Sequence, residues 1–241
     1  MTNQRNQAGK STRDMAARRR AAYFQIGLIS IGLMGVIWLI SINQKAWGIG
    51  GGAMLVLLVA AQVIRAYAER MIDRGSKGEL RAIRGAKAEE KVGDILSRLS
   101  PDYMVIHDVT SANGNIDHIV IGRMNGIFLI ETKAHGGTVT VRDNTLLLNN
   151  HLPEKDFVKQ TVGNAFWLRG VVTDVIGEAP WITPVIVFTN AFVKASGPVK
   201  GVTVVNKKYL LSLLQRVIRP NAVNAKVWAA REDVRRRLVV Y

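Results

Sequence analysis

The chain has 241 residues, 33 Lys and Arg against 18 Asp and Glu for a formal net charge of +15, and 48% hydrophobic residues. A basic nucleic-acid binder dilutes its apolar content with charge and a membrane protein keeps charge out of its spans, so the two excesses belong to different stretches. Cysteine is absent, which excludes disulfides, thiolate zinc sites, iron–sulfur clusters and cysteine nucleophiles and leaves any chemistry to oxygen and nitrogen groups.

Residues 1–20 are polar, poorly periodic and basic, with Arg5, Lys10, Arg13, Arg18, Arg19 and Arg20 against Asp14; they read as a disordered tail. Residues 23–42, YFQIGLISIGLMGVIWLISI, contain no ionisable side chain besides Tyr23, and their length suits a bilayer-spanning helix. A polar connection at 43–45 leads to a second apolar run, WGIGGGAMLVLLVAAQVI, ended by Arg65. Residues 21–65 are therefore expected to form a hairpin of two transmembrane helices in contact with membrane lipids. The first run is too long for a signal peptide and another span follows it. Gly48, Gly50, Gly51 and Gly52 weaken the start of the second helix and give it a small-residue packing surface.

The flanks orient the hairpin. The loop holds only Lys45, whereas Arg65, Arg70, Arg74, Lys77, Arg81, Arg84 and Lys87 face Glu69, Asp73 and Glu79 downstream. The positive-inside rule then places the turn outside and both termini in the cytoplasm, as in an integral cytoplasmic membrane protein. Residues 66–84 read as a charged stalk that continues the second helix and touches anionic headgroups.

From Gly85 the texture is that of an α/β domain. Residues 86–99 set Val92, Ile95 and Leu99 on one helical stripe. Short strands are expected at 103–109, 116–123, 126–133, 138–142 and 145–149, with Asn125-Gly126 as a hairpin signal. A helix is expected at 156–176, closed by Gly177, then a doubly buried strand at 182–188. A strand at 202–205 and a helix at 208–217 follow. Residues 222–238 read as a basic helix added after the core.

The informative stretch is Asn115-Ile116-Asp117-His118-Ile119-Val120-Ile121-Gly122, then the hairpin, then Gly126-Ile127-Phe128-Leu129-Ile130-Glu131-Thr132-Lys133. Glu131 and Lys133 are two apart on a strand and share a face. A strict two-residue loop at 125–126 pairs Asp117 with Ala134 and turns it to the other face. A three-residue loop at 124–126, with Gly126 left-handed, sets Asp117 opposite Lys133 and Ile119 opposite Glu131; it is preferred because it gives the charges partners. Asp117, Glu131 and the Thr132 carbonyl then form a hard-cation site for Mg²⁺ or Mn²⁺, completed by water or phosphate oxygens. Lys133 beside it suits stabilisation of developing negative charge.

These residues resemble the nuclease-related domain (NERD), a branch of the PD-(D/E)XK restriction-endonuclease-like superfamily. The likeness rests on Ile-Asp-His-Ile-Val-Ile-Gly, the short gap and Glu-Thr-Lys-x-x-Gly-Gly. It adds Gly85 to Glu89 on the preceding helix and Gln160 and Asn164 on the following one; Ala88 departs from the glycine the family often has. The resemblance implies a mixed sheet flanked by helices, with the nuclease domain over 85–206 and basic helices over 207–241. It also implies a metal-dependent phosphodiesterase site: Asp117 and Glu131 as ligands, Lys133 as catalytic lysine, Glu89 as auxiliary carboxylate, Gln160 as helix-borne partner. Related domains often act as homodimers. An ordinary reading stands beside it: Asp117 caps a turn after Gly114-Asn115, and Glu131 with Lys133 is a solvated strand end with a weak ion pair. His118 falls on the face opposite Asp117 and reads as packed or surface, while His107, His135 and His151 lack zinc-ligand spacing.

Lys207, Lys208, Arg216, Arg219, Lys226, Arg231 and Arg235-Arg236-Arg237 gather at the C-terminal end. They suit nucleic-acid phosphates, the anionic inner leaflet or a solvated helix face equally. The sequence leads to a membrane-anchored nuclease that hydrolyses DNA or RNA at the cytoplasmic face, with a catalytically inactive module binding nucleic acid or a protein partner as its alternative.

Overall fold

A computed structural model describes residues 10–43, 51–194, 197–216 and 221–239. Its described residues divide into two compact units, one over 12–83 and a second from residue 84 onward. The first unit contains α1 (Lys10–Ile42) and most of the length of α2 (Gly51–Leu96). Part of the expected tail is thus helical, from Lys10 onward, while 1–9 and the connection and glycines at 44–50 lie outside the described residues. Large apolar side chains stand exposed on both helices, among them Phe24, Ile29, Trp38 and Ile42 on α1 and Val56, Val59 and Val63 on α2. Among the described residues, however, no helix is long and apolar enough to cross a membrane, so the expected pair of spans is not shown. Beyond Arg65 the helix continues without a break through the charged stretch.

The second unit is a mixed α/β fold. Its strands are β1 (Tyr103–Ser111), β2 (Gly114–Gly122), β3 (Gly126–Arg142), β4 (Thr145–Leu148), β5 (Ile182–Val193) and β6 (Thr203–Asn206). They form one sheet in the order β1-β2-β3-β5-β6, with β4 also on β3. The β1–β2, β2–β3 and β3–β4 pairs are antiparallel, and β5 lies parallel to both β3 and β6. Between β4 and β5 runs α3 (Phe157–Ile176), capped at one end by Asp156, which accepts from the Lys159 N–H, and at the other by left-handed Gly177. After β6 come a 3-10 turn (Lys207–Tyr209), α4 (Leu210–Arg216), α5 (Ala222–Ala229) and α6 (Arg231–Val239).

Both sheet faces are covered, which is why the strands read as nearly continuous apolar runs. On one face Ile119, Ile121, Ile127 and Leu129 pack with Leu168 and Val172 of α3, Val227 of α5 and Val234 and Leu238 of α6. On the other Val120, Phe128, Ile130, Val185 and Val187 pack with Val92 and Leu96 of α2 and Leu210 and Leu214 of α4. The C-terminal segment is therefore two helices that complete the core, and not a single added one; its arginines face outward while Val234 and Leu238, one turn apart, face in.

β3 also departs from expectation. The strands expected at 126–133 and 138–142 are one strand of 17 residues, whose register against β5 shifts between Lys133 and Gly136. Gly137 permits this continuation. Its φ is +87°, and a Cβ there would sit 2.1 Å from Asn149 Oδ1, the atom that accepts the Thr138 N–H at 2.8 Å. Gly137→Ala combines a disfavoured backbone with that collision and is expected to lower the melting temperature by several degrees. Gly170→Ala, in α3 with open space where its Cβ would lie, is expected to raise it slightly. Thermal unfolding followed by circular dichroism checks both.

Candidate active site at the unpaired edge of β3

β2 pairs with β3 from Gly122↔Gly126 to His118↔Ile130. The connecting turn is Arg123-Met124-Asn125, one residue earlier than the preferred loop, and Gly126 enters the strand with a left-handed φ of +83°. The register differs from both expected ones, yet its parity matches the preferred one. It carries Asp117 to the position opposite Glu131, on the same face as Ile119 and Ile121. Asn125 fixes the turn by donating to the Leu214 carbonyl at 2.9 Å.

Beyond Ile130 the two strands part. β4 takes the same edge of β3 only from Val139 onward, while β5 holds the opposite edge throughout. The stretch between is a strand edge without a strand partner, and side chains satisfy it. The Thr132 N–H donates to Asp117 Oδ2 at 2.6 Å, and the Thr138 N–H goes to Asn149. In extended backbone a residue's N–H and C=O leave on the same edge, so the Thr132 carbonyl emerges beside Asp117.

Glu131 and Lys133 project from that segment toward α3. Lys133 Nζ donates to Glu131 Oε1 at 2.6 Å, with side-chain exposures of 14% and 4%, and lies 4.5 Å from the centroid of the Phe157 ring. The other oxygen, Glu131 Oε2, is buried without a hydrogen-bond partner, as is Thr132 Oγ1. A buried carboxylate oxygen left unsatisfied is costly, so this atom is suited to a ligand.

Electrostatics draws in Glu89, buried on α2 one turn before Val92. The Asp117 carboxyl group is withdrawn from water, which pushes its pKa well above the ordinary carboxylate range; the charges of Glu131 and then Glu89 push it further, against the Thr132 N–H and Lys133. Lys133 thus acts on two of these carboxylates, paired with Glu131 and countering the charge around Asp117. Gln160 is half-buried on α3, with no hydrogen bond to Asp117, Glu131 or Lys133. One turn on, Asn164 is fully buried. It accepts from Ser111 Oγ at 2.8 Å and donates to the Asn115 carbonyl at 3.4 Å, holding β2 two residues before Asp117. Phe157, the platform under Lys133, carries no signal in the sequence beyond being the first residue of α3.

His118 lies on the other face, fully buried, with Nδ1 2.8 Å from His107 Nδ1. Burial first, and then the charge of His107, pushes the His118 pKa well below its ordinary value; burial lowers that of His107 too, against Asp108. Two neutral rings sharing one proton form a packed pair, apart from the carboxylates. Among the described residues no group of three or more His, Asp or Glu side chains could hold a metal ion. The expected ligand set is instead two carboxylates, Asp117 and Glu131, and one main-chain oxygen at Thr132. Its excess negative charge and the unpartnered Glu131 Oε2 fit a dication.

A raised folded-state pKa means that ionising Asp117 costs stability as pH climbs from the unfolded carboxyl range, about 4, through the raised value. Asp117→Asn keeps an acceptor for the Thr132 N–H and removes that loss. Without divalent ions it is expected to melt several degrees above the native chain at pH 8 and level with it near pH 4, a comparison that melting curves against pH make directly.

A family model described as the nuclease-related domain matches residues 84–189, beginning in α2 and ending inside β5. No curated protein and no solved structure matches the chain. The matched residues hold Glu89, Asp117, Glu131, Thr132 and Lys133 together with the helix that carries Asn164. Residues 84–189 are therefore similar to the nuclease-related domain family.

Proposed function

We propose that the chain is a divalent-metal-dependent nuclease that cleaves phosphodiester bonds of DNA or RNA. The observation that carries this is the cluster at the open edge of β3, where a buried, unpartnered carboxylate oxygen of Glu131 lies beside an Asp117 already strained by its neighbours' charge. Asp117, Glu131 and the Thr132 carbonyl would hold Mg²⁺ or Mn²⁺, which supplies Lewis acidity and a water of lowered pKa when bound. Lys133, anchored by Glu131 and by the Phe157 ring, places a fixed positive charge where a phosphate's developing negative charge is stabilised. Glu89 adds negative charge from the α2 side. The second reading, a catalytically inactive module, is favoured by one observation alone: Lys133 donates to Glu131 in this geometry.

Attachment to the cytoplasmic face of a membrane is part of the proposal. The apolar runs over 23–42 and 47–64, their cationic flanks and the exposed apolar side chains on α1 and α2 support it. The full chain is then expected to stay with membranes through an alkaline carbonate wash; quantitative release would remove the anchor from the proposal.

The full chain incubated with DNA and RNA is expected to cleave in Mg²⁺ or Mn²⁺ and not in EDTA. Lys133→Ala and Asp117→Ala are expected to reduce the rate by about a hundredfold or more. Equal cleavage by all three would defeat the assignment of the site. Binding without cleavage by any of them would establish the inactive module.

A further inference from the structure

We infer that the exposed face of α3 around Phe166, together with Trp181 and the turn at Lys200, is a stacking platform for the bases of single-stranded nucleic acid. The proposal rests on the nuclease reading only in taking the strand onward to the Lys133 cluster; the platform is read by binding alone.

Phe166 is 67% exposed and Trp181 60% exposed. Both line a groove of about 140 Å³ with Ile182, Pro184, Arg169 and Lys200. Two large aromatic rings facing solvent in one concave patch mark a surface that something covers. The groove's charge says what kind of partner: among the described residues its ionisable lining is Arg169 and Lys200, and neither is ion-paired with a described residue. Aromatic rings interleaved with unpaired cations and no carboxylate match unstacked bases on a phosphate backbone. A duplex, whose base faces are hidden, offers nothing to the rings.

Lys200 supplies an independent observation. Val199 and Val202 exchange both of their backbone hydrogen bonds, so Lys200-Gly201 is a two-residue turn, with φ of +47° and +82°. Both central residues are left-handed, as in the turn that Asn-Gly ordinarily fills. A lysine there is strained, and such strain collects at ligand sites. Asn144 Oδ1 holds the turn by accepting the Lys200 N–H at 2.8 Å.

The same lysine links the platform to the candidate cluster. Lys200 also lines a neighbouring groove with Leu152 and Phe157, and Phe157 is the ring beneath Lys133. Asp156 borders that groove too, but its carboxylate caps α3. The two grooves thus share Lys200, and the second reaches the ring that packs on Lys133.

The test is fluorescence anisotropy of a labelled oligothymidylate on the full chain in EDTA, where binding is read without cleavage. Phe166→Ala and Trp181→Ala are each expected to weaken binding about tenfold, and the double variant further, with duplex binding unchanged. An oligonucleotide with abasic residues should bind the native chain as weakly as the variants bind the intact strand. Lys200→Asn should weaken binding while raising the melting temperature, because asparagine suits the left-handed position; a merely structural lysine would not give that combination. Unchanged oligothymidylate affinity in the double variant overturns the inference. So does a variant that dissociates a dimer in sedimentation without losing affinity, which would make the occupant a second copy. Failure of the native chain to cleave, with these binding losses intact, would count against the nuclease proposal and leave the platform standing.

Discussion

Burying Asp117 and Glu131 beside one another with one lysine to balance them is the constraint on which the second unit depends. Taking a carboxylate out of water costs several kcal/mol even after relaxation, and at Asp117 the charges of Glu131 and Glu89 add to that cost. That cost is met by the residues just before the cluster. Phe128, Leu129 and Ile130 are fully buried in β3, and each contributes about 1.5–3 kcal/mol by leaving water. Helices on both faces make this burial possible, and the two helices after the matched region, α5 and α6, supply part of one face. The strand end that carries the charges is held in place by a strand middle that carries none.

Why the cluster sits where it does follows from backbone hydrogen bonding. A strand edge without a partner leaves N–H and C=O groups to be satisfied. Here β2 leaves β3 after His118↔Ile130 and β4 arrives at Val139. Asp117 is the first residue of β2 outside the register and turns its carboxylate onto the Thr132 N–H. The same residue thereby stands in for a missing strand and becomes the central group of the site. Asn149 does the corresponding work at the far end. The opening is consequently bounded by side chains at both ends, with the edge of residues 131–137 left between them.

Much of this was legible in the sequence because it is local. The α3 boundaries followed from Asp156 and Gly177, the common face of Glu131 and Lys133 from the two-residue period, and Glu89 from the resemblance carried by Gly85 to Glu89. What was illegible depended on distant partners. The turn moved one residue earlier because Asn125 finds a carbonyl on α4, some ninety residues away in the chain. β3 continues through Ala134–Gly137 because β5 pairs with it on both sides of the register shift, from Ile127 to Lys133 and from Gly136 to Val139. Of the two amides one turn apart on α3, only Asn164 meets β2, since helix phase against a sheet cannot be read from either element alone.

The basic charge changes its meaning in the same way. The C-terminal arginines and lysines looked like the natural contact for phosphates, but several have carboxylate partners in place: Lys226 with Glu178, Arg235 with Glu232 and Arg236 with Asp233. Arg231 lies over the Trp228 ring. Such exposed pairs are individually weak, yet they balance charge locally and leave α5 and α6 with a smaller field toward a polyanion than their composition suggests. Arg169 and Lys200 are less conspicuous in the sequence, being separated by thirty-one positions, and it is the fold that places them in one groove with two aromatic rings. A cation's value to a phosphate backbone depends on what else is near enough to neutralise it. By that measure the α3 groove outranks the arginine-rich terminus.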